Sequence, residues 1–95
     1  METRTIGASG LKVSTLGIGC NNFGGRLDEA ATAAVVHAAL DHGVTLFDTA
    51  DIYPMEPAEN VGFSEEFLGR ALGARRSGAV IATKFGYFAG GSRRA

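Results

Sequence analysis

The sequence has no tryptophan, a single cysteine, two prolines and a net charge of only −1. One cysteine excludes an intrachain disulfide framework and fits a reducing compartment. Nine basic against ten acidic residues leave no electrostatic case for nucleic acid or an anionic membrane as the main partner. No apolar run approaches the ~18 residues of a membrane span, and the polar start Met1-Glu2-Thr3-Arg4 is unlike a signal peptide. A soluble, cytoplasmic chain is expected. There is no solenoid repeat and no low-complexity linker. With 95 residues, 45% of them hydrophobic, the chain is one small domain or a piece of a larger one.

Glycine is what the sequence has in excess. Its fourteen glycines are about twice the usual share of roughly 7%, and they fall between periodic segments as turn and helix-stop residues. Two short strand-like runs, Glu2 to Ile6 and Leu11 to Ser14, flank Gly7-Ala8-Ser9-Gly10 and predict a β-hairpin over 2–14. A glycine-rich strand follows near 15–20. Asp28 is placed to cap an alanine-rich helix near 29–42, with Glu29 in its first turn and Gly43 as its stop. Val44-Thr45-Leu46-Phe47 reads as a buried strand ending at Asp48. Ser64 is placed to cap a second helix near 65–72, and 79–84 is a third buried strand ending at Lys84.

After the hairpin the order is strand, helix, strand, helix, strand. Two consecutive βαβ units require parallel strands with right-handed crossovers, so the fold class is α/β. Because the chain stops after a strand, it reads as the truncated start of a larger domain.

In parallel α/β folds chemistry belongs at the carboxyl ends of the strands. That rule selects Gly19-Cys20-Asn21, Asp48 to Tyr53, and Lys84 to Gly86. Asp48 and Lys84 end neighbouring strands, and pairing them is the cheapest way to desolvate both charges. Tyr53, five residues on, can fold back over the same ends. An ammonium ~4 Å from a phenolate favours the ionised form by roughly 4 kcal/mol at an effective dielectric of 20, about three pKa units. Such a set suits proton delivery to a carbonyl oxygen as it becomes an alkoxide.

Phe47-Asp48-Thr49-Ala50-Asp51-Ile52-Tyr53, Ser64-Glu65-Glu66-Phe67-Leu68-Gly69-Arg70-Ala71-Leu72 and Ile81-Ala82-Thr83-Lys84-Phe85-Gly86 resemble successive signatures of the aldo-keto reductases. Ser9-Gly10-Leu11-Lys12-Val13-Ser14 and Leu16-Gly17-Ile18-Gly19 are similar to the family's hairpin and first barrel strand. The resemblance implies a (β/α)8 TIM barrel, of which this chain is the hairpin and the first β-α-β-α-β part. It implies an NADP(H) cofactor and reduction of a small-molecule aldehyde or ketone by hydride transfer. It places three of the four catalytic residues on Asp48, Tyr53 and Lys84, with Tyr53 as proton donor tuned by Lys84 and Asp48. It places Gly19, Cys20, Asn21 and Asp48 near the nicotinamide end of the cofactor. Phe23, Phe85 and Tyr87 are candidates for the substrate mouth. The family's catalytic histidine and its adenosine- and phosphate-binding segments fall beyond residue 95. The same barrel also serves as a cofactor-binding accessory subunit of potassium channels, so a regulatory, non-catalytic barrel is the alternative, with a non-functional truncated product as a third reading.

Other motifs have plainer readings. Gly17-Ile18-Gly19 is not a dinucleotide fingerprint, because Asn22 stands where a glycine is needed and the helix starts too late. His37 and His42 lie on the first helix, lack a metal-binding frame and cannot replace the missing histidine; no metal is expected. Cys20 reads as a small buried hydrophobe, and Arg75 and Arg76 as partners of a helix C-terminus. Pro54 to Phe63 is longer than the usual link after the tyrosine and would reshape the substrate entrance or form a surface insertion. If Asp48 and Lys84 face inward, the strand period turns Val44, Leu46, Val80 and Ala82 inward too. Fully burying Val44, Leu46 and Val80 would contribute about 5–9 kcal/mol, which the isolated chain would forgo. That is comparable to a domain's whole stability of roughly 5–15 kcal/mol, so the 95 residues alone are expected to be marginal and catalytically silent.

Overall fold

The computed structural model describes residues 1–86; Tyr87, a candidate for the substrate mouth, and the Arg93-Arg94 pair lie outside the described residues. Along the chain come β1 (Thr3–Thr5), β2 (Lys12–Ser14), β3 (Gly17–Gly19), α1 (Glu29–Asp41), β4 (Leu46–Asp48), α2 (Phe63–Leu72) and β5 (Val80–Ala82). Strands β1 and β2 pair antiparallel as a hairpin, with Arg4 opposite Val13. Strands β3, β4 and β5 form a separate parallel sheet in that order. The described residues therefore make two small sheets and not a closed barrel.

Helix α1 begins where its cap chemistry dictates. The Asp28 carboxylate accepts the Ala31 N–H at 2.8 Å, which satisfies one of the helix's orphan donors. Gly43, at φ +89°, supplies the left-handed residue that ends it. Helix α2 starts differently from expectation. Its N-cap is Gly62 in the left-handed conformation, with no side-chain cap, and the Ser64 hydroxyl is used elsewhere. The expected capping role of Ser64 is thus corrected: Ser64 already lies inside the helix, and its Oγ donates to the Cys20 carbonyl at 2.7 Å.

Both helices cover one face of the parallel sheet. Val36 and Ala39 of α1, Leu68, Ala71 and Leu72 of α2, and Phe47 of β4 are buried together, with Ile18 and Ile81 packed against them. Each large side chain buried here contributes roughly 1.5–3 kcal/mol. Across the helix pair, His37 Nε2 donates to the Ala71 carbonyl at 2.8 Å. Arg70 pairs with Glu29 at 2.6 Å, but both side chains are exposed and solvent screens the pair, so it adds little to the packing of the two helices. Arg75 and Arg76 stand, as expected, at a helix C-terminus, in the last turn of the 3-10 helix Gly73–Gly78; Arg76 donates to the carbonyl of its C-cap Ala79, and Arg75 pairs with Asp41 of α1 at 2.9 Å.

The hairpin is fastened to the start of β4 by two reciprocal bonds. Ser14 N–H donates to Thr45 Oγ1 and Thr45 N–H to Ser14 Oγ, each at 2.9 Å. Val44 sits in the helix-side core, 7% exposed, rather than in the opposite row where strand alternation would put it. The reason is that pairing in β4 begins only at Leu46, so Val44 follows the helix–strand turn and not the pleat. Among the described residues no helix is long and apolar enough to cross a membrane.

Candidate active site at the strand ends

Register decides which residues meet. Phe47 pairs with Ile18 and Ile81 and carries the buried row; Asp48 pairs with Gly19 and Ala82 in the opposite row, which is exposed. The ladder runs on past the strands, because Thr49 N–H donates to the Ala82 carbonyl (2.8 Å) and Asp51 N–H to the Lys84 carbonyl (3.0 Å). Lys84, two residues beyond Ala82, therefore returns to the face that bears Asp48.

The Lys84 ammonium donates to Asp48 Oδ1 at 2.7 Å and to the Thr49 carbonyl at 2.8 Å. It also stands 5.2 Å from the centroid of the Tyr53 ring, a cation–π distance. The hydrogen bond it donates to Asp48, reinforced by the carboxylate's charge and partly opposed by desolvation, holds the Lys84 pKa above the ordinary lysine value. The group is cationic at neutral pH. Tyr53 reaches this place through the turn that follows β4: its N–H donates to the Ala50 carbonyl, and its own carbonyl accepts from Gly62 N–H (3.0 Å) and Ser64 N–H (3.2 Å). The structure brings Asp48, Tyr53 and Lys84 together on one side of the sheet, with the lysine addressing the face of the tyrosine ring.

The residues assigned to the nicotinamide end separate by role. Gly19 and Asn21 are exposed. A Cβ built at Gly19 meets no atom within 4 Å, so bare backbone faces open space beside Asp48. Cys20 turns the other way and is fully buried. Its N–H donates to the Asp48 carbonyl at 2.9 Å and its thiol leans on the Ile18 carbonyl at 3.5 Å. Burial, then the negative charge of Asp48, pushes the Cys20 thiol up to about 12, so it stays protonated.

Phe23 does not reach the substrate mouth: it is 2% exposed and belongs to the helix-side core, because the loop after β3 folds over that core. Phe85 is exposed beyond β5. The Pro54 to Phe63 segment includes a single 3-10 turn, Ala58–Asn60, and docks on the loop that follows β3. Asn60 Nδ2 donates to the Gly24 carbonyl at 2.8 Å. A Cβ at Gly24 would lie 2.5 Å from Phe63 Cβ, and one at Gly25 would lie 2.8 Å from the Glu56 carbonyl. Between the two segments runs an open groove of about 1010 Å³, flanked by Asn21, Arg26, Pro54, Met55 and Glu56. Among the described residues no three His, Cys, Asp or Glu side chains are grouped to hold a metal ion.

Two contributors escape sequence reasoning. Thr49 matters through its carbonyl, which no side-chain pattern reveals, and the buried hydroxyl of Ser64 is indistinguishable in sequence from a helix cap.

The sequence model of the Aldo/keto reductase family matches residues 15–95. A curated protein from Arabidopsis thaliana named "Probable voltage-gated potassium channel subunit beta" is 42% identical over 88 residues, spanning 88% of this chain and 25% of its own length. The uncharacterized oxidoreductase YrpG of Bacillus subtilis (strain 168) is 40% identical over 87 residues, 88% of this chain and 26% of its own. Among solved structures, the holo form of aldo-keto reductase AKR11C1 from Bacillus halodurans superposes with a TM-score of 0.76 at 38% identity, covering 90% of this chain and 26% of that one. The chain spans about a quarter of the length of the relatives it matches.

Proposed function

Because the chain belongs to the Aldo/keto reductase family, we propose that it is the N-terminal part of a cytoplasmic NADP(H)-dependent oxidoreductase that reduces a small aldehyde or ketone. The observation that carries this reading is the placement of the Lys84 ammonium against Asp48, the Thr49 carbonyl and the Tyr53 ring at the carboxyl ends of β4 and β5. The bare backbone at Gly19 beside Asp48 fits a flat ring laid against the strand end, with Asn21 at its margin. Bound there, the nicotinamide would supply the hydride. Tyr53 then donates its hydroxyl proton to the carbonyl oxygen as negative charge builds on it, so that carbon gains a hydride, oxygen gains a proton and the product is an alcohol. Lys84 offsets the charge left on the phenolate, and Asp48 keeps Lys84 charged and aimed.

The 42% identity to the Arabidopsis protein named for a potassium channel subunit favours a second reading, a cofactor-binding regulatory barrel. One substitution separates the two. In the full-length protein, Tyr53→Phe removes the proton donor but leaves the nicotinamide ledge intact. We expect carbonyl reduction to fall by roughly 100-fold or more, in line with general acid catalysis, with NADPH affinity unchanged. Turnover that survives Tyr53→Phe refutes the assignment of the acid, and a wild type that binds NADPH without reducing any carbonyl favours the regulatory reading.

A further inference from the structure

Thr49 and Ser64 carry hydroxyls that are buried, bonded to each other and unused by the chemistry described above. Ser64 Oγ donates its only hydrogen to the Cys20 carbonyl at 2.7 Å. The 2.8 Å bond between the two hydroxyls must then run from Thr49 Oγ1 to Ser64 Oγ. The direction of the chain is fixed: Thr49 to Ser64 to the Cys20 carbonyl. All three residues are at most 1% exposed, so no solvent competes for these groups.

Each member of this chain also grips one part of the site with its own backbone. The Thr49 carbonyl accepts from Lys84 Nζ at 2.8 Å. The Ser64 N–H donates to the Tyr53 carbonyl at 3.2 Å. The Cys20 N–H donates to the Asp48 carbonyl at 2.9 Å, and Cys20 is flanked by the exposed Gly19 and Asn21. Three segments far apart in sequence, at residues 20, 49 and 64, are thereby tied into one rigid unit beneath the strand ends.

We propose that the Thr49–Ser64 hydroxyl pair is a positioning device, which sets the distances among Lys84, Tyr53 and the Gly19-Cys20-Asn21 ledge. The proposal rests on the reductase reading and adds two residues to it that never touch substrate. It acts through hydrogen bonds and not through volume, and this is what makes it testable at Thr49. Thr49→Val keeps the shape and deletes the hydroxyl; Thr49→Ser deletes a methyl and keeps the hydroxyl.

In the full-length protein, kcat, KM, NADPH affinity and the solvent deuterium isotope effect on kcat are measured for both variants and for Ser64→Ala, well below each variant's Tm. Misplacement by a fraction of an ångström to 1 Å should lower kcat by roughly 10- to 100-fold in Ser64→Ala, and less in Thr49→Val. KM for the carbonyl should change little, and the solvent isotope effect should rise as proton delivery from Tyr53 becomes limiting. Thr49→Ser should recover most of the kcat lost in Thr49→Val. If Ser64→Ala does not fold, the Thr49 pair decides alone. A Thr49→Ser loss equal to or greater than that of Thr49→Val would mark the site as packing and overturn the proposal. So would Tm changes with kcat and isotope effect left at wild-type values. A wild type that turns over while the variants match it defeats this inference alone, whereas a wild type without turnover defeats the reductase reading and the inference with it.

Discussion

Gly24→Ala offers the sharpest test of how the Pro54 to Phe63 segment is seated. Gly24 has φ +89°, and a Cβ there would stand 2.5 Å from Phe63 Cβ and 3.4 Å from Pro54 Cδ. Phe63 Cβ is not the far end of a flexible side chain; it is attached to the first residue of α2, so relief requires moving the helix start. Left-handed backbone costs an alanine roughly 1–2 kcal/mol, and forcing a methyl into filled space typically costs about 1–3 kcal/mol. The sum is about 2–5 kcal/mol. Gly10→Ala is the control, because Gly10 is at φ +80° with nothing within 4 Å of the added Cβ. It carries the backbone cost without the clash. Both changes stiffen the unfolded chain alike, so that contribution cancels in the comparison. Urea unfolding of the full-length protein, with m-values checked for constancy, should show Gly24→Ala destabilised beyond Gly10→Ala by at least about 1 kcal/mol. Because Gly62 and Ser64 flank Phe63 and hold the Tyr53 carbonyl, turnover should fall as well. Equal destabilisation of the two variants, within about 0.5 kcal/mol, would refute the close approach and with it the seating of the segment.

Two further outcomes follow from the charges. The Cys20 thiol, pushed up to about 12 from an ordinary 9.0, should resist alkylation in the folded protein at pH 8 and react once urea unfolds it. Since the folded value lies above the unfolded one, stability is full below the unfolded value of 9.0 and declines as pH rises towards about 12. The whole decline amounts to roughly 4 kcal/mol at about 1.4 kcal/mol per unit. Rapid modification of native protein at pH 8 would contradict this burial. Asp48→Asn removes the hydrogen-bonded charge that holds the Lys84 pKa up, so NMR titration should show Lys84 moving down towards the ordinary lysine range. The raised value favours the folded state at every pH below the ordinary lysine range, and that advantage disappears as pH climbs through the folded pKa; the variant should lose this alkaline dependence. A Lys84 titration identical in wild type and variant would refute the pairing.

How much of this is legible in the sequence depends on how local the cause is. Asp28 and Gly43 bound α1 as cap chemistry predicts, because each acts within four residues of itself. The meeting of Asp48 with Lys84 is also legible, since it needs only parallel neighbours and a period of two. Ser64 is misread because a serine before two glutamates is the pattern of a cap, while its real acceptor, the Cys20 carbonyl, is 44 residues away. Phe23 is misread for a related reason: an aromatic in a glycine-rich loop gives no sign that the loop folds back over the helix-side core. Val44 fails by two residues, as strand pairing starts at Leu46 and the alternation cannot be extended upstream of it. The approach of Lys84 to the ring of Tyr53 depends on the Ala50–Tyr53 turn and on the two donors at Gly62 and Ser64, and no spacing rule encodes either.

The ion pair itself does not assemble the site. Its side chains are 44% and 59% exposed, and solvent screens a pair so open to water. The position of Lys84 comes instead from the parallel ladder. Asp48 lies beside Ala82, Thr49 and Asp51 carry the bonding on to Ala82 and Lys84, and the pleat returns residue 84 to the face of residue 48. A slip of one residue in that register would turn Lys84 into the helix layer among Phe47 and Leu68, where an ammonium could not be solvated. Ile81 opposes the slip, because the same shift would carry it off the helix-side core, where it packs beside Phe47, and onto the exposed face. The apolar side of the sheet therefore sets the chemistry of the polar side, and the charge pair needs only to finish an alignment that hydrophobic burial has already made.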